Sequence, residues 1–307
     1  MTQVLTVDMQ QAGDETRFSV SVRGTLMASH LLVGRRCEDA LRLVSLIFNL
    51  CPAAQEAAAA MAMGIPPATG THTAIAFETL REHALVMLRD WPLALDDTPR
   101  AGDLAGLAAL YGNRLHDLEY TLFCSRAANV LNDFDGWLES SQSRPAKYLA
   151  LVRTWPKSSG RIATESDPTF ISRVIHHPAL CRFVKSEGMT LFARMAARVI
   201  EAATLIVEIT SGGTGIRYGR TQNSEGWAEA ARGRLVHYAR LRNGTIEGYR
   251  IETPTDSMIG DSAFLQNLLQ SAAAGPSAGR SGRIKIALTC ADPCLPVIWR
   301  TRTKCDA

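Results

Sequence analysis

The sequence predicts a mainly α-helical chain with a minor antiparallel β component, an α+β fold. Three observations lead there. Apolar residues recur at helical spacing in several stretches between residues 38 and 209. An Asn243-Gly244 pair sits between two runs of alternating apolar and polar residues. Pro- and Gly-rich punctuation cuts the helical stretches into short units.

Taken in order, Phe18 to Val33 begins with strand-like alternation, and Arg23-Gly24 predicts a turn between two short strands. Glu38 to Met63 is helical through Leu41, Val44, Leu46 and Ile47, with Pro52 interrupting it, so Cys51 falls where one helix stops and another starts. The Ala-rich run after Pro52 has strong helix propensity and ends at Gly64. A helix is expected from about Thr73 to Trp91, and Asp103 to about Leu138 reads as mostly helical. Ser140–Lys147 and Pro156–Asp167 read as loops, Met189–Ile209 as an amphipathic helix, and Ser211–Gly226 as a Gly-rich loop. Gly233 to Glu252 then reads as a hairpin turning at Arg242-Asn243-Gly244. A short helix over Asp261–Ser271 and a mobile segment over 272–282 follow. One domain over 1–307 is expected, its terminal segments packing together.

Composition excludes several classes. A hydrophobic fraction of 46% and a charged fraction of 21% are those of a globular chain. A net charge of +3 makes no general case for nucleic acid or an anionic membrane. Seven irregularly spaced cysteines do not make a disulfide framework, and the first residues lack the pattern of a secretory signal. A cytoplasmic location with free thiols is therefore expected. The apolar stretch Leu43–Gly64 carries Asn49, Pro52, Gln55 and Glu56, so membrane insertion is not expected.

Local motifs alone disclose no activity. Gly-x-Gly-x-x-Gly, P-loop, His-Glu-x-x-His and nucleophile-elbow patterns are missing, and Ser211-Gly-Gly-Thr-Gly lacks the lysine of a phosphate loop. Cys51 and Cys294 each adjoin prolines, but two cysteines so far apart are ordinarily unrelated. Cys290 lies four residues before Cys294, although Pro293 argues against a regular helix joining them. Cys37, Cys124 and Cys181 read as core residues. His30, His72 and His83 have no ligand-spaced partner, and the pair His176-His177 reads as surface or loop.

Three ordered segments add a resemblance. Gly34-Arg35-Arg36-Cys37-Glu38-Asp39-Ala40 through Leu46-Ile47-Phe48-Asn49-Leu50-Cys51-Pro52, then Glu229-Ala230-Ala231-Arg232-Gly233 to Pro254-Thr255, then Asp292-Pro293-Cys294-Leu295, resemble the large subunit of [NiFe] hydrogenases. The pattern is degenerate. Phe48 and Val297 stand where each C-x-x-C of that family has its other cysteine. Gln55 and Arg300 stand at histidine positions and Ser19 at an acidic, proton-transferring one. The chain is much shorter than such a subunit, so a truncated large-subunit-like fold is implied.

Scaffold signatures kept without nickel ligands resemble the HupK (HoxV) hydrogenase formation proteins. That resemblance implies a non-enzymatic scaffold that transiently holds an Fe(CN)2CO fragment, with nickel not expected. Cys51 and Cys294 would be the metal ligands. Cys51 matches a metal-bridging position and Cys294 a nickel-only one, so the C-terminal turn must sit differently or Cys290 must help. Arg232 would donate to one cyanide and the Pro254-Thr255 segment to the other, while Gln55 would brace a sulfur. The implied partners are a HypC-type chaperone, the HypC–HypD complex and the large-subunit precursor. Two other readings remain: a metal-free docking or regulatory paralogue, for which the Ala-rich helix and 272–282 would serve as docking surfaces, and a shortened active hydrogenase.

Overall fold

A computed structural model describes residues 3–12, 15–24, 28–108, 114–156, 167–213, 215–260 and 263–303. The chain opens with β1 (Val4–Ala12) and β2 (Glu15–Arg23), followed by α1 (Ala28–Leu32), α2 (Cys37–Ile47), α3 (Pro52–Met63) and α4 (Thr71–Leu85). A π-turn over Val86–Asp90 joins α4 to α5 (Trp91–Ala94). Short helices follow: α6 (Ala101–Ala108), α7 (Leu115–Phe123), α8 (Ala127–Asn132), α9 (Phe134–Ser140), α10 (Arg144–Arg153) and α11 (Pro178–Glu187). The long α12 (Leu191–Thr210) leads to β3 (Tyr218–Arg220), β4 (Glu225–Ala230), β5 (Gly233–Arg242) and β6 (Thr245–Glu252). Last come α13 (Pro254–Ile259), α14 (Phe264–Ala273), α15 (Arg280–Ala291) and β7 (Val297–Thr303).

Two small sheets flank the helices. The second, β3-β4-β5-β6, is antiparallel throughout. Its predicted hairpin is present: Asn243 and Gly244 turn with φ of 50° and 74°, the left-handed pair that matches strand twist. The first sheet, β2-β1-β7, adds a pairing outside the expected antiparallel pattern, because β1 and β7 run parallel from Leu5↔Val297 to Gln11↔Thr303. Parallel neighbours need a crossover, and here the whole intervening chain supplies it.

The N-terminal hairpin corrects the sequence reading. β1 pairs with β2 from Val4↔Arg23 to Ala12↔Glu15, and residues 13–14 between them lie outside the described set. Arg23 ends β2 instead of turning it, and Gly24 leads the chain away with φ of 95°. The alternation that matters is Leu5, Val7 and Met9 facing Val22, Val20 and Phe18: Leu5, Val7 and Phe18 are buried in the core, and the other three pack against it.

The Ala-rich helix also differs from expectation. It is not an exposed docking surface: Ala54, Ala57, Ala58, Ala59, Ala60 and Ala62 are all buried. β4 lies across it, and Gly226 approaches so closely that a β-carbon there would be 2.0 Å from the Ala58 carbonyl oxygen. Alanines permit that approach because larger side chains would hold the strand off. Ser143 caps α10 by accepting from Ala146 N, so helix begins inside the expected 140–147 loop. Residues 157–166 of the other expected loop, residues 261–262 and Cys305 lie outside the described residues.

Between α14 and α15 only residues 274–279 are non-helical. The Arg283 guanidinium donates to the carbonyls of Ala272, Ala274, Pro276 and Ala278 around that connection. Cys37 is buried as expected, but Cys124 is exposed at the left-handed end of α7 and Cys181 is half-buried on α11. Among the described residues, no helix is long and apolar enough to cross a membrane.

Candidate functional site

Cys51 ends the link from α2 to α3. It has φ of 53°, left-handed for a residue with a β-carbon, and Pro52 starts the helix behind it. Glu78 of α4 accepts the N–H groups of Ala53 at 2.8 Å and Ala54 at 3.4 Å, satisfying donors that the first turn leaves open. The thiol is buried against the turn between β4 and β5, where the Ala231 backbone and the Arg232 guanidinium face it. Arg232 Nη1 lies 3.7 Å from Cys51 Sγ.

Arg232 reaches this position because Gly233, with φ of 138°, folds the strand pair so tightly that a β-carbon there would stand 2.4 Å from the Pro168 carbonyl oxygen. The guanidinium is buried, not a surface ion pair. Its Nη2 donates to Glu82 Oε2 at 3.1 Å and lies 3.3 Å from Asp292 Oδ1, while its Nε has no hydrogen-bond partner among the described residues. Burial alone would weaken its charge; Asp292, the Cys51 sulfur and Glu82 outweigh that and raise its pKa.

The C-terminal turn completes the site. Asp292, left-handed at φ of 50°, ends α15 and is followed by Pro293 and Cys294. Thr255, buried at the start of α13, holds this turn twice: its hydroxyl accepts from Cys294 N at 2.8 Å and hydrogen-bonds Cys294 Sγ at 2.9 Å. The preceding Pro254 packs beside Gly233. The thiols of Cys51 and Cys294 thus both lie within electrostatic reach of the one Arg232 guanidinium. Cys290 is drawn elsewhere; it is buried in the last turn of α15, with Arg194 and Arg198 as its cationic neighbours.

Burial raises the pKa of three thiols, Cys37 among them. Burial pushes Cys51 up to about 12 despite Arg232, and Cys290 up to about 11. Burial likewise lifts Glu78 to about 7 against its two backbone donors. Cys51 is accordingly a neutral thiol near pH 7, and ligation of a metal there requires loss of its proton.

Gln55 does not brace a sulfur through the contacts it makes. Its Oε1 accepts from His237 Nε2 at 2.7 Å, and His237 Nδ1 accepts from the Tyr249 hydroxyl at 2.6 Å. Full burial holds His237 down to about 3, so the ring is neutral with its proton on Nε2. The glutamine therefore ties α3 to the β5–β6 hairpin one turn beyond Cys51.

Sequence reasoning missed the polar residues behind Arg232. Arg198 of α12 donates to His83 Nδ1 at 2.7 Å and lies 3.4 Å from Asp292 Oδ2. His83 Nε2 then donates to Glu201 at 2.6 Å, and Arg173 grips the same carboxylate. Charged residues on the buried faces of α4 and α12 were the one available signal, and they name no partner. Among the described residues, no three His, Cys, Asp or Glu side chains converge as a metal site.

No protein-family model matches the chain. By sequence it is 24% identical to the hydrogenase expression/formation protein HoxV of Cupriavidus necator, over 88% of this chain and 89% of that one. It is 23% identical to HupK of Rhodobacter capsulatus, over 97% of both. The chain is a homologue of these hydrogenase formation proteins. The fold is that of [NiFe]-hydrogenase large subunits. It superposes on an NAD+-reducing [NiFe]-hydrogenase in the H2-reduced state with a TM-score of 0.55 at 14% identity, covering 92% of this chain and 93% of that chain. A Ni-Fe-Se hydrogenase from Desulfomicrobium baculatum gives 0.55 at 13% identity, covering 93% and 95%.

In this HupK/HoxV homologue the two degenerate motif positions have packing roles. Phe48 caps α2 and packs on the smaller core cluster, its ring 6.5 Å from that of His237. Val297 opens β7 and packs on the main core beside Leu5.

Proposed function

We propose that the chain is a non-catalytic scaffold in [NiFe]-hydrogenase maturation that holds an Fe(CN)2CO fragment before its transfer to the large-subunit precursor. One observation carries this reading: two thiols far apart in the chain lie within electrostatic reach of a single buried guanidinium whose Nε has no partner among the described residues. The names and coverage of the HoxV and HupK relatives support the coarser role in maturation.

The donor set suits such cargo. Iron(II) with two cyanides and two thiolates carries two net negative charges, which are costly to bury without a fixed cation. Arg232 offers a permanent charge and a free N–H to a cyanide nitrogen. The Thr255 hydroxyl, now on Cys294, is the second donor at the site. Cys51 and Cys294 would supply two thiolates, too few for a four-thiolate nickel centre, while a low-spin iron already holding three diatomic ligands needs few more. Two ligands hold cargo without trapping it. A HypC-type chaperone and the HypC–HypD complex are the proposed donors of the fragment, and the precursor its acceptor.

Infrared spectroscopy tests this. Chain isolated anaerobically from hydrogenase-producing cells is expected to show metal-bound carbonyl and cyanide stretches, and Cys51→Ala to lose them. Unchanged bands in that variant would overturn the site. A wild-type chain that binds its maturation partners yet never shows such bands would instead be a metal-free docking paralogue.

A further inference from the structure

The carboxylates around Arg232 are held unequally. Glu82 is bound by Arg232 at 3.1 Å and by two nitrogens of Arg81 at 3.2 and 3.0 Å. Glu201 is gripped through two nitrogens of Arg173 and accepts from His83 at 2.6 Å. Among the described residues, Asp292 forms ion pairs with Arg232 at 3.3 Å and Arg198 at 3.4 Å, both long for charge-assisted contacts. It also sits on left-handed backbone immediately before Pro293 and Cys294. The most loosely held of these anions thus lies on left-handed backbone, next to the second thiol.

The charge count points to the same residue. Behind the thiols, the guanidiniums of Arg173, Arg198 and Arg232 face the carboxylates of Glu82, Glu201 and Asp292, with His83 held neutral by burial. Leaving aside Arg81 at the margin of Glu82 and Glu78 beside Cys51, these three cations and three anions balance. An anion arriving at Arg232 leaves surplus negative charge in a poorly solvated region unless one carboxylate withdraws. The Asp292 side chain is 12% exposed, against 5% for Glu82 and 4% for Glu201, so it has the shortest way to water.

We propose that Asp292 is an internal counter-anion, occupying Arg232 in the empty protein and displaced by an anionic guest, so that loading unlocks the turn carrying Cys294. This rests on the reading of Arg232 as the guest's cationic anchor. Asp292 is then a positioning residue: it sets whether the second thiol is clamped or free. Only an anion strong enough to replace a carboxylate opens the turn, which selects for charge as well as shape.

Hydrogen–deuterium exchange on the guest-free, full-length chain tests this, with thiocyanate as a linear, cyanide-like probe and chloride at equal ionic strength as the control. In wild type, the amides of Asp292, Cys294 and Leu295 are expected to exchange several-fold faster in thiocyanate than in chloride. In Asp292→Asn they are expected to be fast in both salts. Equal protection of the wild-type turn in the two salts overturns the proposal, as does an Asn variant that keeps the wild-type response. The wild-type arm decides alone if the variant does not fold. Carbonyl and cyanide bands without the exchange response would leave the scaffold and remove the counter-anion. The exchange response without bands would do the reverse.

Discussion

Gly226 crosses Ala58 with no room for a side chain between them: a β-carbon on the glycine would stand 2.0 Å from the Ala58 carbonyl oxygen and 2.3 Å from Ala62 N. Both obstacles are helix backbone and cannot rotate away. Gly226→Ala is therefore expected to destabilise the chain by more than about 3 kcal/mol, since the strand must lift off α3. Urea unfolding measures this; a midpoint within error of wild type would show that β4 does not pack as described.

Arg232→Lys keeps a charge and loses the fork. A lysine ammonium cannot meet Cys51, Glu82 and Asp292 from one rigid plane as the guanidinium does. A loss of about 2–4 kcal/mol is expected, because carboxylates are left buried with a poorer partner. Denaturant midpoints give the number, and diatomic infrared bands in the same preparations should weaken with it.

Thr255→Val preserves shape and removes the hydroxyl that holds Cys294 through both nitrogen and sulfur. A cost of about 1–2 kcal/mol is expected for the orphaned amide. Cys294 should also be alkylated faster by iodoacetamide, read by peptide mass mapping. An unchanged rate would mean that Thr255 does not restrain the turn.

Two buried histidines set the acid limit. Burial holds His83 down to about 4 and His237 to about 3, whereas an unfolded histidine titrates near 6.5. Below that pH the unfolded state binds protons that the folded rings refuse. Stability is thus fully present above about 6.5 and falls as the pH drops toward the folded values, by about 2 kcal/mol per histidine at pH 5. Thermal unfolding from pH 7 to 5 should show this decline, and His237→Gln should flatten it. A flat wild-type profile would rule out neutral buried rings.

Legibility followed the range of the interactions. Asn243-Gly244 and Pro52 act on their immediate neighbours, so the hairpin and the α2–α3 break were readable. The burial of α3 was not, because alanine carries no apolar stripe and the partner strand lies more than 160 residues on, at Gly226. At the site, Cys51, Arg232, Thr255 and Cys294 were singled out by resemblance, and the structure draws them around one guanidinium. Glu82, Arg198 and His237 escaped notice, and Asp292 was read only as part of its motif, because a buried polar pair leaves no mark near either partner. The contact of the Gln55 amide oxygen with His237 was unreadable for the same reason, because His237 lies 182 positions away.

The parallel ladder between β1 and β7 joins Leu5 to Val297, positions 292 apart. A ribosome delivers those two strands far apart in time, because 292 positions separate them. The first thiol can meet its guanidinium as soon as the β4–β5 turn has emerged, but the second arrives only with the segment that leads into β7. Until that segment has been made, the site is a half-built vessel with one wall missing. A guest that needs both thiols must come aboard after it.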